Sequence, residues 1–263
     1  MLGLMLARRG IEVTVLEKHK DFLRDFRGDD ISPATIEVLG ELGLDADFLA
    51  LGPKRIEIVE AHTPGGPILL ADMRRVRTKF PFFAVIPQWD FLDFVTKQAA
   101  REPSFNLLLS TEATGLLVGD AGVEGVRCRY GQGDLEIRAR LTVAADGRFS
   151  SVRDQAGLTV KETAAPIDVL WFRLPHTGQV PGAAMSVHLG GGQVMARIDR
   201  DTYWQVACVI SKGSGEEKDH RFATHSICSF GVVAVVALAL CGLGSSRPFG
   251  TPAHAPCACR SRS

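Results

Sequence analysis

The chain has no acidic residue after Asp219: all 30 Asp and Glu residues lie at or before it, and residues 220–263 contain none. A composition break of that kind marks a boundary. Net charge is also missing. A formal charge of zero gives no basic field for nucleic acid and no acidic tail for a basic partner. The six cysteines have no regular spacing, which excludes a disulfide framework, and four of them (Cys228, Cys241, Cys257, Cys259) fall in the acid-free tail. Cys257 and Cys259, one residue apart near His254, make a poor zinc pair, so no metal is expected. The opening apolar stretch Leu2–Ala7 has its arginines behind it at Arg8 and Arg9, the reverse of a signal peptide. The default setting is therefore cytoplasmic. A G-x-G-x-x-G fingerprint is absent too, because Gly3 and Gly10 do not have that spacing.

What is present is ordinary globular composition, 46% hydrophobic and 23% charged, in 263 residues, enough for one large domain or two small ones. Residues 1–10 have helical density and end in a basic turn and a glycine. The β-branched run 11–17 follows as a buried parallel strand. A helix leading straight into such a strand is the second half of a βαβ unit, so the expected first strand and its glycine turn are missing. "GDDISPATIEVLGELGL" predicts a helix with Ser32 as N-cap, Pro33 at the first position, Ile36, Leu39 and Leu42 as its stripe, and Gly43 as its stop. The stretch 54–73 predicts two strands joined at Pro-Gly-Gly. "PQWDFLDFVTKQAAR" returns to helix, with Phe91, Phe94 and Val95 on one face. A short strand "FNLLLS", a meander through "GVEGVRCRY", and "LTVAAD" follow. The last has no alternation and is placed in the centre of the parallel sheet. Four further strand candidates lie between 167 and 213.

The fold class expected is α/β: a doubly wound, Rossmann-like nucleotide-binding domain (1–53, 87–163) interleaved with a mostly antiparallel β substrate domain (54–86, 164–213), then an atypical tail over 220–263. In a dinucleotide-binding unit the second strand ends in an acid that accepts from the adenosine ribose hydroxyls, and Glu17 stands at that point. "AADGRFSSVRDQAG" carries a buried strand into Asp146-Gly147 at its carboxyl end, where open α/β sheets bind ligands. Gly147 lets the backbone approach a ligand closely, and Ser150 and Ser151 can cap the helix bearing Arg153. Each motif also reads as ordinary structure: a solvated strand-end Glu, an Asp-Gly turn before a capped helix.

In order, Glu17, "DFRGDDISPATIEVLGELGL", "PQWDFLDFV", "AADGRFSSVRDQAG", "DVLWFRLPH" (168–176) and "YWQVACVISKG" (203–213) resemble the flavoprotein aromatic hydroxylases of the para-hydroxybenzoate hydroxylase type, from residue 1 to about 219. The resemblance implies an FAD-dependent monooxygenase with NAD(P)H as reductant, passing one oxygen atom of dioxygen to an aromatic or polyketide-like small molecule. Glu17 would bind the adenosine ribose, Arg27 and Gln88 the ribityl-pyrophosphate region, and Asp146 and Gly147 the cofactor through the family's Asp-Gly motif, with Arg153 as a brace. No catalytic residue is assigned, since the chemistry is the cofactor's. Of Trp171, Phe172, Met195 and Trp204 in the β domain, alternation allows about half to face a substrate.

The family opens with a strand and glycine-rich loop and later carries a Gly-Asp motif, and neither stands in this sequence, so the chain is expected to be truncated relative to it. The tail has the composition a shifted reading frame of a GC-rich gene gives. Two alternatives follow: a fragment that binds FAD weakly and is inactive, or a membrane-tethered nucleotide-binding protein, because residues 227–244 are uncharged and at the lower length limit of a membrane helix.

Overall fold

The computed structural model describes residues 1–23, 29–147, 149–161, 166–175, 184–212, 226–227 and 234–239. They form two compact units: Met1–Phe22 and Leu92–Lys161 with the strand Ala234–Ala239 in one, and Leu23–Phe91 with the described residues between Glu162 and Ser229 in the other. The contacts thus group Leu23–Gly52 with the mostly antiparallel unit, whereas the sequence reading assigns that stretch to the nucleotide-binding domain. Its two helices, Pro33–Glu41 and Asp45–Leu49, explain the difference. Ile36, Leu39 and Phe48 are fully buried, and Phe48 meets Phe91 edge-on at 5.7 Å, inside the second unit.

In the first unit the helix Leu2–Ala7 packs on the strand Glu12–Leu16. Gly3 permits this, because a Cβ there would lie 2.8 Å from Val15 Cγ2. Glu12–Leu16 runs parallel to Phe105–Leu108 on one side, as a βαβ half-unit requires. On its other side lies Ala234–Ala239, antiparallel, and beyond that Leu141–Ala145. One expectation is corrected here. Leu141–Ala145 is an edge strand of this four-stranded sheet among the described residues, with Leu141 half exposed, not a central one. An apolar run reports burial of its faces, and it carries no information about how many strands flank it. Of residues 227–244, where an apolar helix stood as an alternative, the described ones are Ile227 and Ala234–Ala239, and they lie in the strands Ser226–Ile227 and Ala234–Ala239. No helix among the described residues is long and apolar enough to cross a membrane.

A meander of Thr111–Gly119, Gly122–Tyr130 and Gly133–Arg138 completes the unit. Its first strand was not anticipated, because its apolar residues cluster at 116–118 instead of alternating. Leu116, Val126 and Cys128 pack with Leu16 and Val152 into one core. In the second unit all four strands expected between 167 and 213 are present, as Ile167–Pro175, Met185–Gly190, Gln193–Asp199 and Tyr203–Ser211. They join Ser226–Ile227 and the hairpin Ile58–Thr63/Gly66–Asp72 in a seven-stranded sheet, antiparallel except where Met185–Gly190 runs parallel to Ile58–Thr63. A smaller sheet is built from Asp30–Ile31, Phe83–Val85 and Lys54–Ile56. The helix Pro33–Glu41 has the predicted cap: Ser32 Oγ accepts from Thr35 N at 3.3 Å, Pro33 follows, and Gly43 at φ +67° ends it.

Gly125 is the position at which the meander tolerates no side chain. Its φ is +147° and a Cβ would stand 2.0 Å from the carbonyl oxygen of Ile137 on the neighbouring strand. Gly125→Ala is expected to lower stability by about 1–3 kcal/mol, read as an earlier midpoint in urea denaturation.

Candidate cofactor site

Glu17 follows directly on the strand Glu12–Leu16. Its backbone N–H donates to Leu108 O (2.9 Å) and its carbonyl accepts from Thr111 N (2.9 Å), which fixes the residue between two neighbouring strands. Its Oε1 accepts from His19 N at 2.9 Å. The side chain lies at a cavity of about 230 Å³ whose other walls include Gly3, Leu4, Val15, Phe22 and Ala145. An acceptor beside apolar walls at a strand's carboxyl end suits a nucleoside: hydroxyls donate to the carboxylate and the base lies on the apolar surface.

Asp146 lies one residue beyond Ala145, so the strand Leu141–Ala145 ends at the same cavity as Glu17. Its own carboxylate is buried and turned to the helix Ser151–Gln155: Oδ1 accepts from the Ser150 hydroxyl and Oδ2 faces Val152 N at 3.5 Å. Ser150 Oγ in turn accepts from Arg153 N at 3.0 Å, the predicted cap. Gly147 has φ +86°, a conformation that favours glycine. Asp146 and Gly147 line a second cavity of about 550 Å³ together with Arg140, Thr142, Ser150 and Arg153. Thr142 Oγ1 there is buried without a hydrogen-bond partner. Arg153 binds Asp154 through Nε and Nη2 at 3.1 and 2.9 Å.

Gln88 belongs to the second unit and opens the helix Gln88–Ala99, with its backbone N–H donating to Asp29 Oδ1 at 3.1 Å. Arg27 lies outside the described residues. Thus Glu17 and the Asp146 strand are brought together, and Gln88 is organised separately around Asp29.

The reading of the sequence missed Asp29. It is buried, its Oδ2 pairs with Arg200 Nη2, its carbonyl accepts from Ile86 N at 2.9 Å, and Arg200 Nε is held by Gln205 Oε1 at 2.9 Å. The adjacent Asp30 carboxyl is pushed above the ordinary 3.8, first by burial and then by the Asp29 charge. The doubled acid in "GDDIS" was the available signal. It gave no partner, because Arg200 stands 171 residues away.

The chain belongs to the FAD-binding domain family, whose profile matches residues 1–223. It is 29% identical over 196 residues to the 6-methylpretetramide 4-monooxygenase of Streptomyces rimosus, covering 74% of this chain and 46% of that one. It is 30% identical over 174 residues to aklavinone 12-hydroxylase DnrF of Streptomyces peucetius, covering 60% and 35%. The chain therefore spans between about a third and a half of the length of these relatives. Among solved structures it resembles p-nitrophenol 4-monooxygenase PnpA of Pseudomonas putida (TM-score 0.71, 18% identity, 83% of this chain, 56% of that one). It also resembles PqsL of Pseudomonas aeruginosa (TM-score 0.66, 20% identity, 82% and 58%). At these identities the likeness establishes the shared fold alone: a mixed α/β structure of the Rossmann-like, FAD-binding type.

Removing one partner of a buried ion pair leaves an uncompensated charge. Arg200→Met is expected to destabilise the second unit by about 3–5 kcal/mol, and Asp29→Leu combined with Arg200→Met to recover part of that loss, the remainder reflecting the Gln88 N–H left without its Asp29 acceptor. Chemical denaturation followed by tryptophan fluorescence measures both. The raised Asp30 makes a separate prediction. A carboxyl with an elevated folded-state pKa binds its proton more tightly in the native chain, so its ionisation favours unfolding as pH rises through and above 3.8. Asp30→Asn should therefore be neutral in acid and stabilising at pH 7, seen as a melting temperature that rises relative to the parent with increasing pH.

Proposed function

We propose that the chain is the FAD-binding portion of a flavin-dependent monooxygenase acting on an aromatic or polyketide-like small molecule, with NAD(P)H as reductant and dioxygen as co-substrate, in a cytoplasmic setting. The observation that carries this reading is the family match over residues 1–223, joined to a carboxylate at a strand end beside an apolar cavity. The two named Streptomyces relatives are a monooxygenase and a hydroxylase.

In this reading Glu17 accepts hydrogen bonds from the adenosine ribose hydroxyls while Leu4, Val15 and Ala145 flank the base. Gly147, with no side chain, lets the backbone approach the cofactor closely. Asp146 acts through position: by holding the Ser150 hydroxyl and the start of the helix Ser151–Gln155, it fixes the path of the loop that Gly147 turns. Gln88 contributes its side-chain amide from the start of its helix, whose backbone Asp29 anchors, and Arg27 supplies positive charge toward phosphate. FAD, when bound, supplies the redox and oxygen chemistry, and the residues named here bind and orient it.

The test is the visible absorbance of the purified chain with added FAD. A bound-flavin spectrum that bleaches with NAD(P)H supports the reading. Loss of a carboxylate acceptor to hydroxyl donors is worth about 1.5–3 kcal/mol, so Glu17→Gln is expected to weaken FAD binding by roughly 10–100-fold. A chain that takes up no FAD, or a Glu17→Gln variant that binds it unchanged, contradicts the assignment.

A further inference from the structure

Among the described residues, one edge of the seven-stranded sheet is the strand Gly66–Asp72. Edge strands are ordinarily guarded by charged side chains, because an open ladder of N–H and C=O groups recruits other strands. Here Ile68, Leu69 and Leu70 stand in succession and are 52%, 53% and 52% exposed. The backbone carries the guard instead. Pro67 has no N–H to offer, and a bulge leaves Leu70 without a partner between Val59 and Glu60. The edge is thus blunted against a further strand while its side chains stay apolar.

Those side chains surround the edge. Ile68 is in register with the fully buried Ala61, and Leu69 with Glu60, so the two lie on opposite faces of the sheet. A rigid partner packed on either face would cover one and leave the other in water.

Basic charge follows directly. From Gly66 to Arg77 the chain has three arginines and one acid, Asp72. Arg74 donates to Asp72 through Nε at 2.8 Å and Nη2 at 3.0 Å, and Glu57 also acts on it electrostatically. Arg75 reaches the same carboxylate at 3.4 Å but is 82% exposed. Arg77 is exposed and forms no ion pair among the described residues, and Val76 between them is exposed as well. The segment is fixed at both ends. Met73 N donates to Glu57 O at 2.8 Å, Thr78 Oγ1 donates to Glu37, and Lys79 Nζ donates to Asp45 at 2.8 Å. Arg75 and Arg77 are therefore the cations presented outward, beside an apolar edge.

We propose that this edge binds the surface of an anionic phospholipid bilayer. Ile68, Leu69 and Leu70 enter the headgroup boundary, and Arg75 and Arg77 meet the phosphates. A fluid layer reaches both faces of an edge at once. The insertion is shallow, at a depth where the outward backbone groups still meet water and headgroups. Apolar side chains and adjoining basic charge are two weak signals, and together they give a reversible, salt-sensitive attachment. It uses residues that the cofactor reading does not, so it stands independently of the monooxygenase function.

Flotation of the full chain with phosphatidylcholine vesicles, with and without about one third phosphatidylglycerol, tests this. The chain is expected to float with the acidic vesicles but not the neutral ones, and to detach as salt is added. Arg75→Gln and Arg77→Gln should each weaken binding about 5-fold. Leu69→Ser combined with Leu70→Ser should weaken it about 10-fold or more. All four positions are exposed, and circular dichroism establishes that the variants are folded. No flotation, equal flotation with both kinds of vesicle, or unchanged binding in the folded variants overturns the proposal. A dimer in sedimentation velocity that the two serine substitutions dissociate, in a chain that binds no vesicles, assigns the patch to a second copy of the chain instead.

Discussion

Glu17 and Asp146 stand at the carboxyl ends of two strands that run in the same direction and are not bonded to each other. Each pairs instead with Ala234–Ala239, which lies between them in the opposite direction, so that Val236 is in register with both Val15 and Val143. The geometry of the candidate cofactor site in the first unit depends on that insertion. The ladder hydrogen bonds of two strands are satisfied by a third that comes from the acid-free tail. The family match ends at residue 223, before this strand begins. The residues that place Glu17 and Asp146 are therefore partly family residues and partly a segment outside the matched span.

Much of the local structure was legible because local chemistry decides it. Ser32-Pro33 and Gly43 bracket a helix by capping and backbone preference alone, and the structure has that helix. Glycine and aspartate between β-branched runs mark the four strands from 167 to 211, and all four are present. Long-range placement was not legible. "AVVALA" is short and apolar, a pattern that serves helix and strand alike, and only the neighbouring strands decide in favour of a strand. Leu141–Ala145 has the composition of a central strand and lies at an edge for the same reason.

The site residues divide along similar lines. Glu17 and the Asp-Gly turn were visible because their position at a strand end is a local feature. The surroundings of Asp146 were less so: its carboxylate bonds Ser150 and the start of the helix that follows. Asp29 and Arg200 were invisible as a pair, since two residues that meet across 171 positions of chain leave no pattern in either neighbourhood. Both units use one carboxylate to hold a loop beside a candidate ligand position, Asp146 by capping a helix and Asp29 by engaging Arg200 and the backbone of Gln88.

The claim on which the rest stands is that Ala234–Ala239 joins the strands bearing Glu17 and Asp146 into one sheet. Amide hydrogen exchange followed by mass spectrometry tests it directly, comparing the parent chain with Val236→Pro, which removes a ladder donor. The account predicts slow exchange across 234–239 in the parent, and in the variant faster exchange over both 12–16 and 141–145. Rapid exchange of 234–239 in the parent, or unchanged protection of the flanking strands in the variant, would contradict it.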